Sequence, residues 1–207
     1  MNRRLGVLIS GRGSNLQALI DATEDGRLDA SIAVVMSNVE QAAGLDRAKR
    51  AGIETLVISH RGWPVRDDYD RAVARELKAR DVSLVCLAGY MRLVGVPLLE
   101  AFPNAVLNIH PSLLPAFPGI NAQHQAIEHG VKVSGVTVHV VTLELDGGPI
   151  VVQRTVPVLD GDTRDTLAAR ILLEEHRAYP EAVGMMLAGG WRIEGRTFVK
   201  SANGASA

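Results

Sequence analysis

The sequence predicts an α/β fold with a mostly parallel central sheet, antiparallel strands in its C-terminal half, and flanking helices. Short apolar runs alternate with stretches of helix-forming residues, which is the pattern of repeated strand–helix–strand units. The later half contains a run that alternates between two faces, which favours antiparallel pairing. Neither an internal repeat nor a linker interrupts these patterns, so we expect one domain over residues 1–200.

The first half contains the parallel part of the predicted sheet. Its apolar runs are rich in β-branched residues and short enough to be buried strands. The stretches between them carry apolar residues at three- and four-residue spacing, which predicts amphipathic helices. The predicted strands are 5–10, 32–37, 55–59, 84–88 and 106–110, and the predicted helices are 16–24, 42–51, 66–79 and 97–102.

The second half contains longer elements and more turns. The run 134–141 alternates, and 150–158 follows a Gly-Gly-Pro turn, so both are predicted strands. Asp162 is a candidate cap for a long closing helix that begins at Thr163 and ends before two glycines. Residues 191–200 are expected to form a hairpin, and the small polar tail 201–207 is expected to be disordered.

Composition favours a small-molecule partner. The net charge is −1 with scattered Lys and Arg, so nothing indicates a nucleic-acid or membrane surface. The apolar segment near the amino terminus is too short for a signal peptide, and the expected compartment is the cytoplasm. The one cysteine, Cys86, lies inside an apolar run, where it is expected to pack as a small hydrophobic residue.

A glycine-rich turn follows the first predicted strand. The segment from Ser10 to Leu16 reads Ser-Gly-Arg-Gly-Ser-Asn-Leu and leads into a helix, whose free N–H groups and dipole favour an anion such as phosphate. The pattern is not the dinucleotide fingerprint, because Leu16 stands where its third glycine would be. An ordinary tight turn between strand and helix explains this motif about equally well.

The end of the fifth predicted strand carries Asn108 and His110. Residues two apart project from the same face of a strand, and ligand sites in open α/β sheets lie at the carboxyl ends of the strands. Three prolines and Gly119 follow, so the next loop is expected to be stiff enough to form the wall of a site. A polar strand end followed by a surface turn is the alternative.

Three charged residues elsewhere are further candidates. Arg92 follows the fourth predicted strand within an apolar stretch and could hold a flat, partly anionic ligand, although such arginines are usually just solvated. Asp146 lies in a glycine-flanked turn, where it either bonds its own backbone or orients a histidine. Glu175 falls within the apolar stripe of its helix, so a protein cation or a ligand is expected to meet its carboxylate, unless it reaches solvent at the edge.

Five segments in order along nearly the whole chain resemble the phosphoribosylglycinamide formyltransferase family. They are Ser10–Leu16, Gly89–Arg92, Asn108–Gly119, Gly135–His139 and Leu145–Ile150. The resemblance implies a Rossmann-like formyltransferase fold and transfer of a formyl group from 10-formyltetrahydrofolate to phosphoribosylglycinamide in purine synthesis. It implies no metal, no nucleic acid and no membrane, and either a monomer or a homodimer. No His/Cys spacing typical of a metal site occurs in the sequence.

The resemblance also implies roles for individual residues. The catalytic residues would be Asn108, which would bond the formyl oxygen, His110 as general acid, and Asp146, which would keep that histidine protonated. Phosphoribosylglycinamide would be bound by Gly13, Ser14, Asn15, Leu172, Leu173, Glu174 and Glu175. The folate would contact Arg66, Met91, Arg92, Leu93, Val94, Asn108, Thr142, Leu143, Glu144, Leu145 and Asp146. The turn departs from the commonest family pattern at Leu143 and at Gly147, where Thr is frequent. Because a carboxylate favours the charged imidazole, we expect Asp146 to raise the pKa of His110 above about 6.5.

Several alternatives stay open. The segment Asn108–Gly119 alone marks a wider group that includes methionyl-tRNA formyltransferase and formyltetrahydrofolate hydrolase, but the chain has no room for the additional domain expected of either. A phosphate- or nucleotide-binding module without catalysis would leave Asn108, His110 and Asp146 unexplained. A dehydrogenase is disfavoured by Leu16 and by Asn38, which stands where an acidic residue would bind a ribose.

Overall fold

The computed structural model describes residues 2–200, which form one nine-stranded sheet with helices on both faces. The predicted disordered tail, 201–207, lies outside the described residues. The strands are β1 (Arg4–Ile9), β2 (Ser31–Ser37), β3 (Thr55–Val57), β4 (Leu84–Leu87), β5 (Val106–His110), β6 (Val133–Val140), β7 (Ile150–Pro157), β8 (Trp191–Glu194) and β9 (Thr197–Lys200).

The strand order confirms the predicted division of the sheet. The order is β3-β2-β1-β4-β5-β6-β7-β9-β8, and all neighbouring pairs from β3 to β5 are parallel. Strand β6 is antiparallel to both β5 and β7, and β8 is antiparallel to β9. The sheet is therefore parallel from β3 to β5 and antiparallel from β5 to β7, and β7 pairs with β9 in parallel.

Six helices surround the sheet within residues 2–200, and two of them differ from the predictions. They are α1 (Ser14–Glu24), α2 (Gly44–Arg50), α3 (Arg66–Lys78), α4 (Val96–Ala101), α5 (Ala122–Glu128) and α6 (Arg164–Ala188). Helix α5 was not predicted, because seven mostly polar residues after a proline-rich loop carry too short a pattern.

The prediction that Asp162 caps α6 was wrong. Thr163 is the cap, in a reciprocal pair with Thr166, and Asp162 instead pairs with Arg170.

Alternate strand residues divide the core into two layers. Val7 and Ile9 of β1 pack with α1, α2 and α6 on one face, whereas Leu8 packs with α3 and α4 on the other. Cys86 is buried in the first layer, as expected. Burial on both faces explains why the central strands read as continuous apolar runs in the sequence.

The carboxyl ends of β1, β4 and β5 meet at one edge of the sheet. Three segments leave the sheet there, namely 10–13, 88–95 and 111–121. The amide nitrogen of Met91 donates to Ser10 Oγ at 2.8 Å, which joins the first two. Among residues 2–200, no helix has the length and hydropathy that a membrane span requires.

Candidate active site

Strand β5 positions Asn108 and His110 near the centre of the sheet. Leu107 and Ile109 point into the first core layer, so the two polar residues between and after them point to the opposite face. Asn108 is half-buried and lies in register with His139 of β6, and His110 is 5% exposed. Their positions follow from the strand geometry that the sequence predicts.

Neighbouring strands anchor the proline-rich loop after β5. The hydroxyl of Thr137, on β6, donates to the Ser112 carbonyl at 2.7 Å and accepts from the Leu114 amide at 3.0 Å. The Gln153 side chain donates to that hydroxyl at 3.0 Å and to the Leu114 carbonyl at 2.9 Å. The peptide bond between Leu114 and Pro115 is cis. The loop is thus held by buried hydrogen bonds in addition to its prolines.

Asp146 meets both polar residues of β5 from the loop between β6 and β7. Its Oδ2 accepts from the Gly119 amide at 2.8 Å and lies 3.4 Å from Nδ1 of His110. Its Oδ1 lies 3.4 Å from Asn108 Nδ2 and 3.6 Å from His139 Nε2. The side chain is 8% exposed, and its backbone φ of 49° is uncommon for a residue other than glycine. The structure therefore brings together the three predicted catalytic residues.

The prediction that the pKa of His110 is raised was wrong. Burial is the largest effect and lowers this pKa, while the Phe117 carbonyl and the Asp146 carboxylate act in the opposite direction and offset it only in part. Burial acts to raise the pKa of Asp146, but the bonds from His139 and the Gly119 amide, together with the charges of His110 and His139, lower it overall. The aspartate is thus held ionised next to a buried imidazole.

The two ring nitrogens of His110 both face oxygen acceptors. Nε2 lies 2.9 Å from the Phe117 carbonyl oxygen, and Nδ1 faces the Asp146 carboxylate. An imidazolium can donate to both partners, whereas a neutral ring can donate only to one. With the amide of Asn108 beside it, the cluster combines a hydrogen-bond donor with a group that can give up a proton. Such a pair suits the stabilisation of a developing oxyanion.

His139 is a fourth member of this cluster that the site prediction did not include. It is 2% exposed, and its Nε2 lies 3.1 Å from Asn108 Nδ2. Its Nδ1 lies 3.1 Å from the Val140 carbonyl oxygen. In the sequence, His139 is one residue of an alternating strand, and only the pairing of β5 with β6 puts it opposite Asn108. The available signal was an ionisable residue on the same face of β6 as Thr137, in a strand that is buried almost throughout.

The glycine-rich turn takes the shape that an anion site requires. Gly13 is the N-cap of α1 with a φ of 69°, and the first turn contains no acidic residue and no side-chain cap. A Cβ on Gly13 would lie 2.7 Å from the Gly44 Cα, so a side chain has no room there. Arg47 donates from Nε to the Arg12 carbonyl at 2.9 Å, which adds a positive charge beside the turn. The local charge therefore favours an anion at the predicted phosphate position.

Asn15 is the partner of Glu175, where a cation or a ligand was expected. Asn15 Nδ2 donates to Glu175 Oε2 at 2.6 Å, and both side chains belong to residues that are 8% exposed. Burial raises the pKa of Glu175, and the bond from Asn15 offsets this in part. Asn15 Oδ1 is buried without a partner among residues 2–200. The pair joins two predicted substrate-binding segments, and it leaves one buried acceptor atom of Asn15 unsatisfied.

The three residues before Glu175 lie in different surroundings. Leu172 is half-buried, and Leu173 is 62% exposed. Glu174 Oε1 accepts from Arg177 at 2.7 Å, and its Oε2 lies 3.6 Å from Arg154 of β7. Among the described residues, Glu175 is the one predicted residue of this helix that forms a hydrogen bond with the glycine-rich turn, and Leu173 lines a pocket together with Ser14.

The predicted folate residues form two exposed segments beside the catalytic cluster. In the first, Met91 and Leu93 are 73% and 58% exposed, while Val94 is buried and Arg92 lies 4.5 Å above the Tyr69 ring. In the second, Thr142, Leu143, Glu144 and Leu145 are all exposed and lead directly into Asp146. Arg66 is exposed at the first position of α3. Exposed apolar side chains on both segments, with arginines near the first, are typical of a binding surface.

Metal ligands are not clustered in this region. Within the described range 2–200, no group of three or more His, Cys, Asp or Glu side chains has the arrangement needed to hold a metal ion. The two histidines and the aspartate of the cluster instead bond one another and the backbone.

Comparisons with known proteins agree with this geometry. The formyl transferase family description matches residues 3–183. Phosphoribosylglycinamide formyltransferase from Escherichia coli strain K12 is 42% identical over 190 residues, which are 92% of this chain and 87% of that protein. The crystal structure of glycinamide ribonucleotide transformylase 1 from Symbiobacterium toebii is 56% identical with a TM-score of 0.95, covering 97% of this chain and 94% of that one.

Longer relatives contain the same region as a part. The human trifunctional purine biosynthetic protein adenosine-3 is 48% identical over 186 residues, which are 90% of this chain and 18% of that protein. This chain spans from 14% to 19% of the length of the trifunctional relatives from insects and vertebrates that it matches.

Proposed function

This chain belongs to the formyl transferase family, and we propose that it transfers a formyl group from 10-formyltetrahydrofolate to the amine of N1-(5-phospho-D-ribosyl)glycinamide. The products are the N2-formyl compound and tetrahydrofolate, and the step belongs to purine synthesis. The observation that carries the proposal is the cluster in which Asp146 contacts both Asn108 and His110 at the carboxyl end of β5. The identity with relatives of that name supports the substrates.

The reaction needs a group that stabilises negative charge on the formyl oxygen. The substrate amine attacks the formyl carbon, which forms a carbon–nitrogen bond and a tetrahedral oxyanion. The bond to the folate nitrogen then breaks, and the proton lost by the amine ends on that nitrogen. In this scheme Asn108 Nδ2 donates to the oxyanion, and so does a protonated His110 once its Nε2 exchanges the Phe117 carbonyl for the formyl oxygen. A preorganised donor contributes about 10²–10³ in rate, which is enough to make both residues essential.

Asp146 has two roles in this scheme: it stabilises the charged form of His110, and it orients the side chains of His110 and Asn108. Its carboxylate faces Nδ1 of His110 and is itself held by the Gly119 amide. It therefore stabilises the imidazolium against the cost of burial and fixes the orientation of the ring. Its Oδ1 lies within 3.4 Å of Asn108 Nδ2, so the same side chain also orients the amide.

The phosphoribosyl end of the substrate is assigned to the turn at Gly13, Ser14 and Asn15. The first-turn amides of α1 are suited to a phosphate, and Arg47 adds positive charge beside the turn. Asn15 Oδ1 and the carboxylate of Glu175 supply acceptors for ribose hydroxyls or the glycinamide amine. Leu172, Leu173 and Glu174 are assigned to the same end of the substrate by the family resemblance.

The folate is assigned to the two exposed segments, residues 91–94 and 142–146. Their exposed apolar side chains suit a flat pterin ring, and the arginines Arg66 and Arg92 suit the carboxylates of its glutamate. This placement puts the formyl group next to Asn108, which begins the catalytic cluster.

A coupled assay tests the proposal. The protein is mixed with 10-formyltetrahydrofolate and phosphoribosylglycinamide, and tetrahydrofolate is followed by absorbance while the formylated product is identified by mass spectrometry. Folate turnover that needs no second substrate and releases formate would indicate a formyltetrahydrofolate hydrolase. Binding of both compounds without turnover would indicate a module without catalysis.

A pair of histidine variants tests the assigned centre. His110→Ala is expected to lower kcat by about 10²–10⁴-fold, because it removes the general acid. His124→Ala is the matched control, since that side chain is 55% exposed on α5. Equal kcat values for both variants would contradict the assignment of His110.

A further inference from the structure

A buried carboxylate that the site prediction did not use lies beneath the first folate segment. Asp70 of α3 is 2% exposed, and its Oδ2 accepts from the Gly95 amide at 2.6 Å. A buried charge requires partners, and this one meets the amide that ends the segment 91–95. At the other end of that segment, the Met91 amide donates to Ser10 Oγ. The segment is therefore attached to the protein at both ends.

Gly95 and Asp70 are packed so closely that no side chain fits between them. A Cβ on Gly95 would lie 2.8 Å from Asp70 Oδ2, 3.1 Å from Asp67 Oδ1 and 3.4 Å from Arg66 Nε. The φ of Gly95 is −101°, which other residues adopt freely. A larger residue at this position would have to displace the Asp70 carboxylate, so the contact with α3, and not the backbone conformation, favours glycine here.

The same region of α3 also holds Arg92. Its guanidinium lies 4.5 Å above the ring of Tyr69, and the Tyr69 hydroxyl lies 3.0 Å from that of Tyr90. Arg92 Nε is buried without a hydrogen-bond partner among the described residues. Burial raises the pKa of Asp70, while the Gly95 amide and then the charges of Arg92 and Arg66 act to lower it. Asp70 Oδ2 and Arg66 Nε both lie within 3.4 Å of the position of a Gly95 Cβ, and Arg92 stacks on Tyr69, the neighbour of Asp70 in α3, so both arginines lie near this carboxylate.

We propose that Asp70 is a positioning residue for folate, which fixes the segment 91–95 through Gly95 and orients Arg92 and Arg66 by its charge. Asp70 itself forms no hydrogen bond with the catalytic cluster, with residues 13–15 or with Glu175 among the described residues; its hydrogen-bond partner is the Gly95 amide. Asp70 should therefore affect the folate side of the reaction alone. The inference rests on the assignment of segment 91–94 to the folate in the proposed function.

The test compares Asp70→Asn with Asp68→Asn. The first variant keeps an oxygen that can accept from Gly95 but loses the charge, and the second removes a charge from an exposed carboxylate on the same helix. For Asp70→Asn, KM for 10-formyltetrahydrofolate is expected to rise about tenfold, as for a lost charged hydrogen bond. KM for phosphoribosylglycinamide and kcat are expected to stay within about twofold of the Asp68→Asn values.

Gly95→Ala tests the contact between Asp70 and Gly95 by changing the glycine instead of the carboxylate. It is expected to raise KM for the folate without changing KM for phosphoribosylglycinamide, because its Cβ displaces the Asp70 carboxylate. Two mutations that break one contact are not additive. The double variant is therefore expected to show little more than the larger of the two single effects. Additive effects would mean that Asp70 and Gly95 act separately and would overturn the proposal.

Calorimetric titration with tetrahydrofolate separates this inference from the proposed function. Weaker binding to Asp70→Asn than to Asp68→Asn supports the inference, whether or not the wild-type protein transfers formyl groups. Absence of turnover by the wild-type protein would contradict the proposed function. Two results for Asp70→Asn would overturn the inference. One is an equal rise in both KM values together with a lower Tm, which would show that Asp70 only supports the fold. The other is folate binding that is unchanged from that of Asp68→Asn.

Discussion

At the residue scale, the environment of His110 decides which protonation state is stable. Burial lowers the pKa of the imidazole, whereas the Phe117 carbonyl and Asp146 favour the charged form. Simple pairing with a carboxylate predicts the opposite net direction, because that argument leaves out the cost of removing the ring from water. Asp146 therefore reduces the extent to which burial lowers the pKa of His110, but it does not raise this pKa above its ordinary value.

Asp146→Asn should move the pH profile. A general acid is active while protonated, so activity falls as pH rises through its pKa. Removing the Asp146 charge removes one of the effects that raise the pKa of His110, so this pKa falls further. The alkaline limb of kcat/KM should shift to lower pH, and kcat should decrease. The acid limb, which belongs to the substrate amine, should stay in place.

A second His–carboxylate pair provides the control for this measurement. His124 and Glu128 lie 3.3 Å apart on the exposed face of α5. Glu128→Gln should leave both limbs where the wild-type protein has them. An alkaline limb that stays fixed in Asp146→Asn, in a folded protein that binds both substrates, would show that the two residues are not coupled.

Glu175→Gln should weaken substrate binding with little effect on stability. The glutamine oxygen can still accept from Asn15, and the change removes a charge that burial makes costly. KM for phosphoribosylglycinamide should rise while Tm stays the same or increases slightly. Glu181→Gln is the matched control, because Glu181 pairs with Arg154 at the surface of the same helix. A large loss of stability with a normal KM would show a structural role.

At the scale of elements, antiparallel strand β6 fixes the loop that leaves β5. The hydroxyl of Thr137 lies between the two strands and bonds the loop at Ser112 and Leu114. The loop in turn supplies the Phe117 carbonyl to His110 and the Gly119 amide to Asp146. The shape of the site therefore depends on a side chain that touches no substrate.

Thr137→Val should destabilise the protein and lower kcat together. It leaves the Leu114 amide without its acceptor and the Ser112 carbonyl without its donor, and Gln153 keeps only its bond to the Leu114 carbonyl, at a cost of about 2 to 4 kcal/mol in the free energy of unfolding. Urea unfolding measures that loss, and the transfer assay measures kcat. The comparison is Thr155→Val on β7, where the residue is exposed. A Thr137 variant as stable as the Thr155 variant would contradict the anchoring role.

At the scale of the whole molecule, the site joins parts of the chain that are far apart in sequence. In the proposed function, the turn at Gly13, the segment after β4, the end of β5, the loop before β7 and the middle of α6 all contact the substrates. A ligand that contacts several of these parts stabilises the folded state by mass action. The effect should be visible as a rise in Tm.

Each substrate should raise Tm separately. At a concentration of 100 Kd, a ligand adds about 2.7 kcal/mol, and each kcal/mol corresponds to about 2–4 °C for a chain of this size. Tetrahydrofolate and phosphoribosylglycinamide should thus each raise Tm by about 5–11 °C in a thermal scan. Glycinamide without the phosphoribosyl group should have a much smaller effect if the turn at Gly13 binds phosphate. A shift with glycinamide equal to that with phosphoribosylglycinamide would contradict that assignment.

Local pattern alone was enough to predict the parallel half of the sheet, the antiparallel strands that follow, and the face of β5 that carries Asn108 and His110. These features depend on alternation and apolar runs, which are properties of neighbouring residues. The tertiary structure decided that His139 faces Asn108, that Asn15 is the partner of Glu175, and that Asp70 lies under Gly95. It also decided the sign of the His110 pKa shift. All four features depend on contacts between segments that are distant in sequence and on the exclusion of water by those contacts. The spacing of neighbouring residues encodes neither the contacts nor the exclusion of water.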